Sequence, residues 1–137
     1  MLRPVNNPWT VTYANAPPDV RPWLVDVARE RVHGRERPVE LMPVRELEWI
    51  LDVPLWWSDG HPFGLRPRDV LADPERYRAQ HVRTEEANLA VPVDVAWHHG
   101  RWLVVDGVHR LLKAVTLGYT AVAAREVPGA ALVRSAA

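Results

Sequence analysis

Residues 103–110 read LVVDGVHR, and this stretch decides how the second half of the 137-residue chain is interpreted. Its apolar run is typical of a buried strand, and the run stops at Asp106 and Gly107. From Val108 onward the apolar residues recur at helical spacing. The stretch therefore predicts a strand that passes directly into a helix, with Gly107 at the turn.

The predicted turn has the chemistry of an anion site. A helix that begins directly after a glycine leaves its first backbone N–H groups without partners, and its dipole places partial positive charge there. His109 and Arg110 would add two donors, and Lys113 shares their face of the helix. Asp106 could cap the helix, hold Mg²⁺ or orient His109. The spacing indicates phosphate binding, but Asp-Gly before a helix also serves as a plain cap and turn.

Composition excludes several other classes of site. The chain has 17 basic and 17 acidic residues, so no net charge draws it to nucleic acid. It has no cysteine, which removes disulfides, thiolate nucleophiles and cysteine-based metal sites. Only Lys113 among the basic residues is a lysine, a bias typical of a GC-rich bacterial genome. With no apolar leader and no membrane-length run, we expect a cytoplasmic protein without membrane or nucleic-acid partners.

The remaining patterns predict an α+β domain built on a small mixed sheet with packed helices. Residues 1–37 are predicted to form an N-terminal arm with one short amphipathic helix, residues 38–128 the domain, and residues 129–137 a tail. The expected elements of the domain are a strand at 38–43, helical turns at 44–53, a loop at 55–67, two helices ending near 88, a hairpin at 92–105, the helix after Gly107 and a strand at 120–127.

The run PVDVAWHHGRWLVVDGVHRLLKAVTLGYTAVAAREV, residues 92–127, resembles the conserved half of the ParB/sulfiredoxin superfamily. The similar elements are the strand beginning at Pro92, the Asp-Gly-x-His-Arg block at 106–110, the Leu-Gly at 117–118 and the final short strand. Upstream, VELMPVREL resembles the family's first strand, so the resemblance covers about residues 38–128. It implies a ParB/sulfiredoxin-like fold in which Gly107, Val108, His109 and Arg110 bind nucleotide phosphates, assisted by Lys113.

Within that superfamily the chain resembles the standalone ADP-dependent kinases of free serine. Their Asp-Gly-His-His-Arg block is similar to residues 106–110, with Val108 in place of the first histidine. Their catalytic base is a carboxylate just after the first strand, where Leu51 aligns and Asp52 is the nearest carboxylate. The resemblance therefore suggests Asp52, Asp106 and His109 as catalytic residues and Asp106 as the metal ligand. Sulfiredoxin chemistry itself is excluded, because it needs a cysteine.

We therefore expect a protein that binds ATP, ADP or CTP with Mg²⁺ and acts as a phosphotransferase or NTPase on a small molecule. The alternative is a non-catalytic binding or regulatory module, DNA-associated or partner-docking, and a nuclease is a third reading. A homodimer is compatible with each of these. Trp56 and Trp57 could stack on a ligand or pack in the core. Arg83 could reach the pocket if its helix packs as in the family.

Overall fold

The computed structural model describes residues 16–29, 32 and 37–134, and a four-stranded mixed sheet lies at its centre. In chain order the elements are β1 (Val25–Val27), β2 (Val39–Pro43), α1 (Val44–Leu47), β3 (Trp56–Ser58), β4 (His61–Leu65), α2 (Pro67–Ala72), α3 (Arg78–Glu86), β5 (Val93–His98), β6 (Arg101–Asp106), α4 (Val108–Thr116), β7 (Ala121–Glu126) and β8 (Leu132–Arg134).

The central sheet has the strand order β2-β7-β5-β6. β2 pairs antiparallel with β7, β7 parallel with β5, and β5 antiparallel with β6. The parallel pair needs a crossover, and α4 supplies it between β6 and β7. The structure thus confirms the predicted α+β class and the small mixed sheet.

One apolar core joins this sheet to the helices. The 3₁₀ turn Glu48–Asp52, which follows α1, places Ile50 and Leu51 in the core, and α4 contributes Leu111, Leu112 and Ala114. Leu51, at the position aligned with a catalytic carboxylate, is fully buried. Its side chain therefore packs the fold and does not face a ligand.

The predicted helix in the N-terminal arm is wrong over the residues that the structure describes. Residues Arg21–Trp23 form a single 3₁₀ turn, and the Val25–Val27 segment is strand β1. β1 pairs antiparallel with β8, which lies in the predicted tail. The alternation of Val25, Asp26 and Val27 fits a strand, but the backbone partner of this strand is β8, near the other end of the chain. Tertiary pairing therefore overrides the local helical spacing.

The predicted loop at 55–67 contains a β-hairpin instead. β3 and β4 pair antiparallel and are joined by Asp59 and Gly60, both with positive φ (51° and 82°). An Asp-Gly pair with two positive φ angles is a turn that suits the twist of a hairpin. The prolines and glycines of this segment favour a loop, and the Asp-Gly pair is the one local feature that indicates a hairpin.

Across the described residues, no helix is long and apolar enough to span a bilayer.

Candidate functional site

The turn between β6 and α4 has the backbone that the sequence predicts. Gly107 is the N-cap of α4 and has φ +110°, in the left-handed region that favours glycine. A Cβ atom there would lie 2.8 Å from Cγ1 of Val93, so the position is also sterically closed to larger residues. The first bond of the helix runs from the Leu111 N–H to the Gly107 carbonyl, at 3.0 Å. The N–H groups of residues 108–110 precede it and have no backbone acceptor within the described part of the chain.

The residues that carry these N–H groups line a cleft of about 420 Å³. Its lining residues are Arg83, Ala87, Val105, Asp106, Gly107, Val108, His109 and Arg110. The structure thus brings together Asp106 and the four predicted binding residues of the 106–110 block. Two guanidinium groups oppose one carboxylate in this lining, and the helix dipole adds partial positive charge. The cleft therefore favours an anion.

His109 is held on two sides. Its ring stacks on Trp56, with ring centroids 4.4 Å apart and planes 14° from parallel. Its Nε2 lies 2.6 Å from Oε1 of Gln80 in α3. Burial, assisted by the positive charge of Arg83, lowers the pKa of His109 from 6.5 to about 4. His109 is therefore neutral near pH 7, so the donor predicted at this position carries no charge.

The contact with Oε1 of Gln80 favours one tautomer of the neutral ring. A carbonyl oxygen such as Oε1 can only accept, so Nε2 of His109 carries the hydrogen and Nδ1 is an acceptor. Asp106 was expected to orient His109 or to cap α4, but Gln80 orients the ring and α4 has no side-chain cap. The Asp106 carboxylate instead lies 3.5 Å from Nη2 of Arg110. Gln80 was not predicted as a site residue, because it belongs to no motif and reaches His109 only through the packing of α3 on α4.

Arg110 joins the cleft to the loop before β5. Its Nη1 donates to the carbonyl of Pro92, and its side chain is 19% exposed. Asp106, its ion-pair partner, is 56% exposed. Arg110 therefore both holds the loop before β5 and lines the cleft. The Asp106 carboxylate is accessible to a ligand.

Arg83 is the most accessible cation of the cleft. It lies in the last turn of α3, is exposed, and has no hydrogen-bond or ion-pair partner among the described residues. It also lines a second groove of about 380 Å³ between the β3–β4 hairpin and α3. Trp57, Tyr77 and Gln80 belong to that groove. Arg83 and the neighbouring Gln80 thus connect the anion cleft to a groove with aromatic walls.

Two predicted residues lie outside the cleft. Nζ of Lys113 donates to the carbonyls of Glu85 and Ala87, at 2.7 and 2.8 Å, and so satisfies the C-terminal end of α3. Asp52 forms an ion pair with Arg68, at 2.7 Å between Oδ1 and Nε. Neither side chain lines the cleft. Their assignment to binding and catalysis has no support in the geometry.

The metal ligand that the cleft offers is the single carboxylate of Asp106, which fits a metal ion bound jointly with phosphates. No group of three or more His, Asp or Glu side chains within the described ranges could hold a metal ion. Mg²⁺ is commonly bound by one or two carboxylates together with substrate phosphates and water. Asp106 fits that arrangement, because it is a single open carboxylate beside the first turn of α4.

Comparison with known proteins adds little to this geometry. No protein family model matches the chain, and no curated protein does. Among solved structures, the chain is similar to sulfiredoxin from Arabidopsis thaliana, with a TM-score of 0.38 and 18% sequence identity over 67% of this chain and 86% of that one. A likeness this weak assigns neither a family nor an activity.

Proposed function

We propose that this protein binds a nucleotide whose phosphates lie against the first turn of α4. The observation that carries the proposal is a cleft lined by residues 106–110 and Arg83, in which the N–H groups of residues 108–110 have no backbone acceptor among the described residues. A helix N-terminus with guanidinium groups beside it is a common phosphate site. Gly107 fixes the position of this turn, because a residue with a Cβ would not fit against Val93.

The groove beside α3 would hold the nucleoside. Trp57 and Tyr77 line it, with the guanidinium of Arg76 5.2 Å from the centroid of the Tyr77 ring, and stacking on aromatic side chains accepts any base. Arg83 lines both the groove and the phosphate cleft, so one ligand could occupy the two together. Backbone and arginine groups would then hold the phosphates, and the aromatic side chains would hold the base.

For phosphoryl transfer, Asp106 would hold a phosphate-bound Mg²⁺, which neutralises charge on the phosphates. A base must also lie within reach of the acceptor hydroxyl. His109 is the candidate, since Nδ1 is an acceptor and a pKa of about 4 gives the ring the basicity of an ordinary carboxylate. Trp56 and Gln80 would keep the ring in place. The transfer of a phosphoryl group to a small molecule is the function we propose for this arrangement.

A second candidate is a nucleotide-binding module without catalysis. It is favoured by the position of Asp52, which pairs with Arg68 outside the cleft and leaves Asp106 as the single carboxylate in the lining. In that case ligand binding would be retained, and no nucleotide would be consumed. Measurement of nucleotide turnover in the presence of small hydroxyl acceptors separates the two candidates.

Arg83→Gln is the variant that tests the proposed site. Loss of a charged hydrogen bond to phosphate is expected to weaken binding of ADP about tenfold or more. Calorimetric titration of ADP, ATP and CTP, with and without Mg²⁺, measures the effect. The side chain of Arg83 makes no hydrogen bond or ion pair within the described chain, so the fold should be unaffected.

Arg45→Gln is the matched control for this titration. Arg45 is an exposed residue of α1 that lines neither the cleft nor the groove. Its replacement removes the same charge from the protein and should leave the affinity within about twofold, because a distant surface charge is screened by salt. Equal weakening by both substitutions would mean that net charge, and not a site at Arg83, controls binding.

A further inference from the structure

Large exposed apolar side chains gather beside strand β2. Among the described residues, Leu41 is 77% exposed, Tyr119 54%, Val39 48% and Val91 46%. Leu41, Val91 and Tyr119 line one cavity of about 410 Å³ whose other walls are mainly aliphatic. We call Val39, Leu41, Val91 and Tyr119 the β2 patch. Clustered exposure of this kind on a soluble protein commonly marks an interaction site.

Among the described residues, β2 has a paired neighbour on one side only. β2 is an edge strand of the central sheet, with β7 as its neighbour. Val44 donates its N–H to the carbonyl of Thr120, which continues the β2–β7 ladder. Backbone groups alternate in direction along a strand, so Glu40 and Met42 turn toward β7. Val39, Leu41 and Pro43 therefore turn their backbone groups outward.

This outward edge is complementary to itself. In an antiparallel pair centred on Leu41, that residue exchanges two backbone bonds with Leu41 of the second copy. The Val39 N–H then meets the carbonyl of Pro43 of the second copy. Pro43 has no N–H, so it leaves no donor unsatisfied. Every outward N–H of the strand thus finds an acceptor in an identical strand.

The side chains agree with the same register. Leu41 lies beside its own copy and Val39 beside Pro43 on the face that carries the β2 patch, because outward residues share one face of the sheet. Glu40, the charged residue of β2, lies opposite Met42 of the second copy, so no like charges meet. We propose that two copies of this chain form a dimer by antiparallel pairing of their β2 strands. The inference does not depend on the proposed function.

The test is the molar mass in solution, measured by sedimentation or light scattering over a range of protein concentrations. The wild-type chain is expected to be dimeric at high micromolar concentration and to dissociate on dilution. Leu41→Glu should give a monomer at every concentration, since it brings two carboxylates together at the centre of the interface. Val39→Pro should weaken the dimer as well, because it removes an outward donor that the β2–β7 ladder does not use.

Trp97→Glu is the control, because Trp97 is 56% exposed and lies in β5, outside the β2 patch. This variant should remain dimeric. Circular dichroism and melting temperature establish whether each variant is folded. If Val39→Pro does not fold, the result for Leu41→Glu alone tests the dimer. A wild-type chain that is monomeric throughout, or a dimer that survives Leu41→Glu, would overturn the proposal.

Discussion

Gly107→Ala is expected to destabilise the fold by about 2 to 4 kcal/mol. One part of this cost is conformational, because φ is +110° and an alanine there occupies an unfavourable region. The second part is steric, since the new Cβ would lie 2.8 Å from Cγ1 of the buried Val93 and 3.2 Å from Cζ of Arg110. Chemical denaturation of the variant and the wild-type chain measures the loss.

Gly100→Ala separates the two parts. Gly100 also has a positive φ, of 79°, but an added Cβ there would meet nothing within 4 Å. Its replacement should cost only about 1 to 2 kcal/mol, the conformational part. In the background of Val93→Ala, which removes the clashing methyl group, Gly107→Ala should cost less than it does alone. If Gly107→Ala is no more damaging than Gly100→Ala, the turn is not closed against Val93 as we describe.

The β6–α4 turn was predictable because its signals are local. An apolar run, a glycine and a helical period follow one another within a dozen residues, and each is a consequence of backbone sterics or periodic burial. Strands β1 and β8 are different. They pair across more than a hundred residues, and the short segment around Val25 is compatible with either a helix or a strand until its partner is known. Such pairing is a tertiary event that local patterns do not specify.

A pH-dependent loss of stability is the second large expected effect, and it originates at His109. The pKa of this ring is about 4 in the folded protein and 6.5 when exposed. Between these values the unfolded chain binds a proton that the folded chain does not, so stability falls as the pH drops. The loss should begin near pH 6.5, end near pH 4 and amount to at most about 3 kcal/mol.

His109→Phe isolates this contribution. The ring can still stack on Trp56 but cannot take up a proton, so the variant should lose less stability between pH 7 and pH 4.5 than the wild-type chain. Denaturation curves at both pH values give the difference, and the other histidines contribute equally to both proteins. An NMR titration of the His109 ring supplies an independent value. Identical pH dependence in the two proteins would show that the ring titrates as if exposed.

The motif residues of the candidate site were predictable from the sequence, and the residues that contact them from other elements were not. Gly107, His109 and Arg110 lie within one motif, and a helix start places them together whatever the rest of the fold does. The neutral state of His109 could not be foreseen, because it depends on burial against Trp56 and on Gln80, which packing brings from two other elements. Lys113 shares the predicted helical face, yet the end of α3 engages its ammonium group.

The most direct measurement is an NMR titration of the ¹⁵N-labelled protein with ADP and, separately, with pyrophosphate. Phosphate oxygens that accept hydrogen bonds from α4 should move the amide signals of Val108, His109 and Arg110 most, and the shifts should saturate together with the calorimetric binding curve. ADP should in addition shift the indole signal of Trp57, which pyrophosphate should leave unchanged. Saturating binding that leaves the amides of residues 108–110 in place, or no binding of either ligand, would contradict a phosphate site at the start of α4.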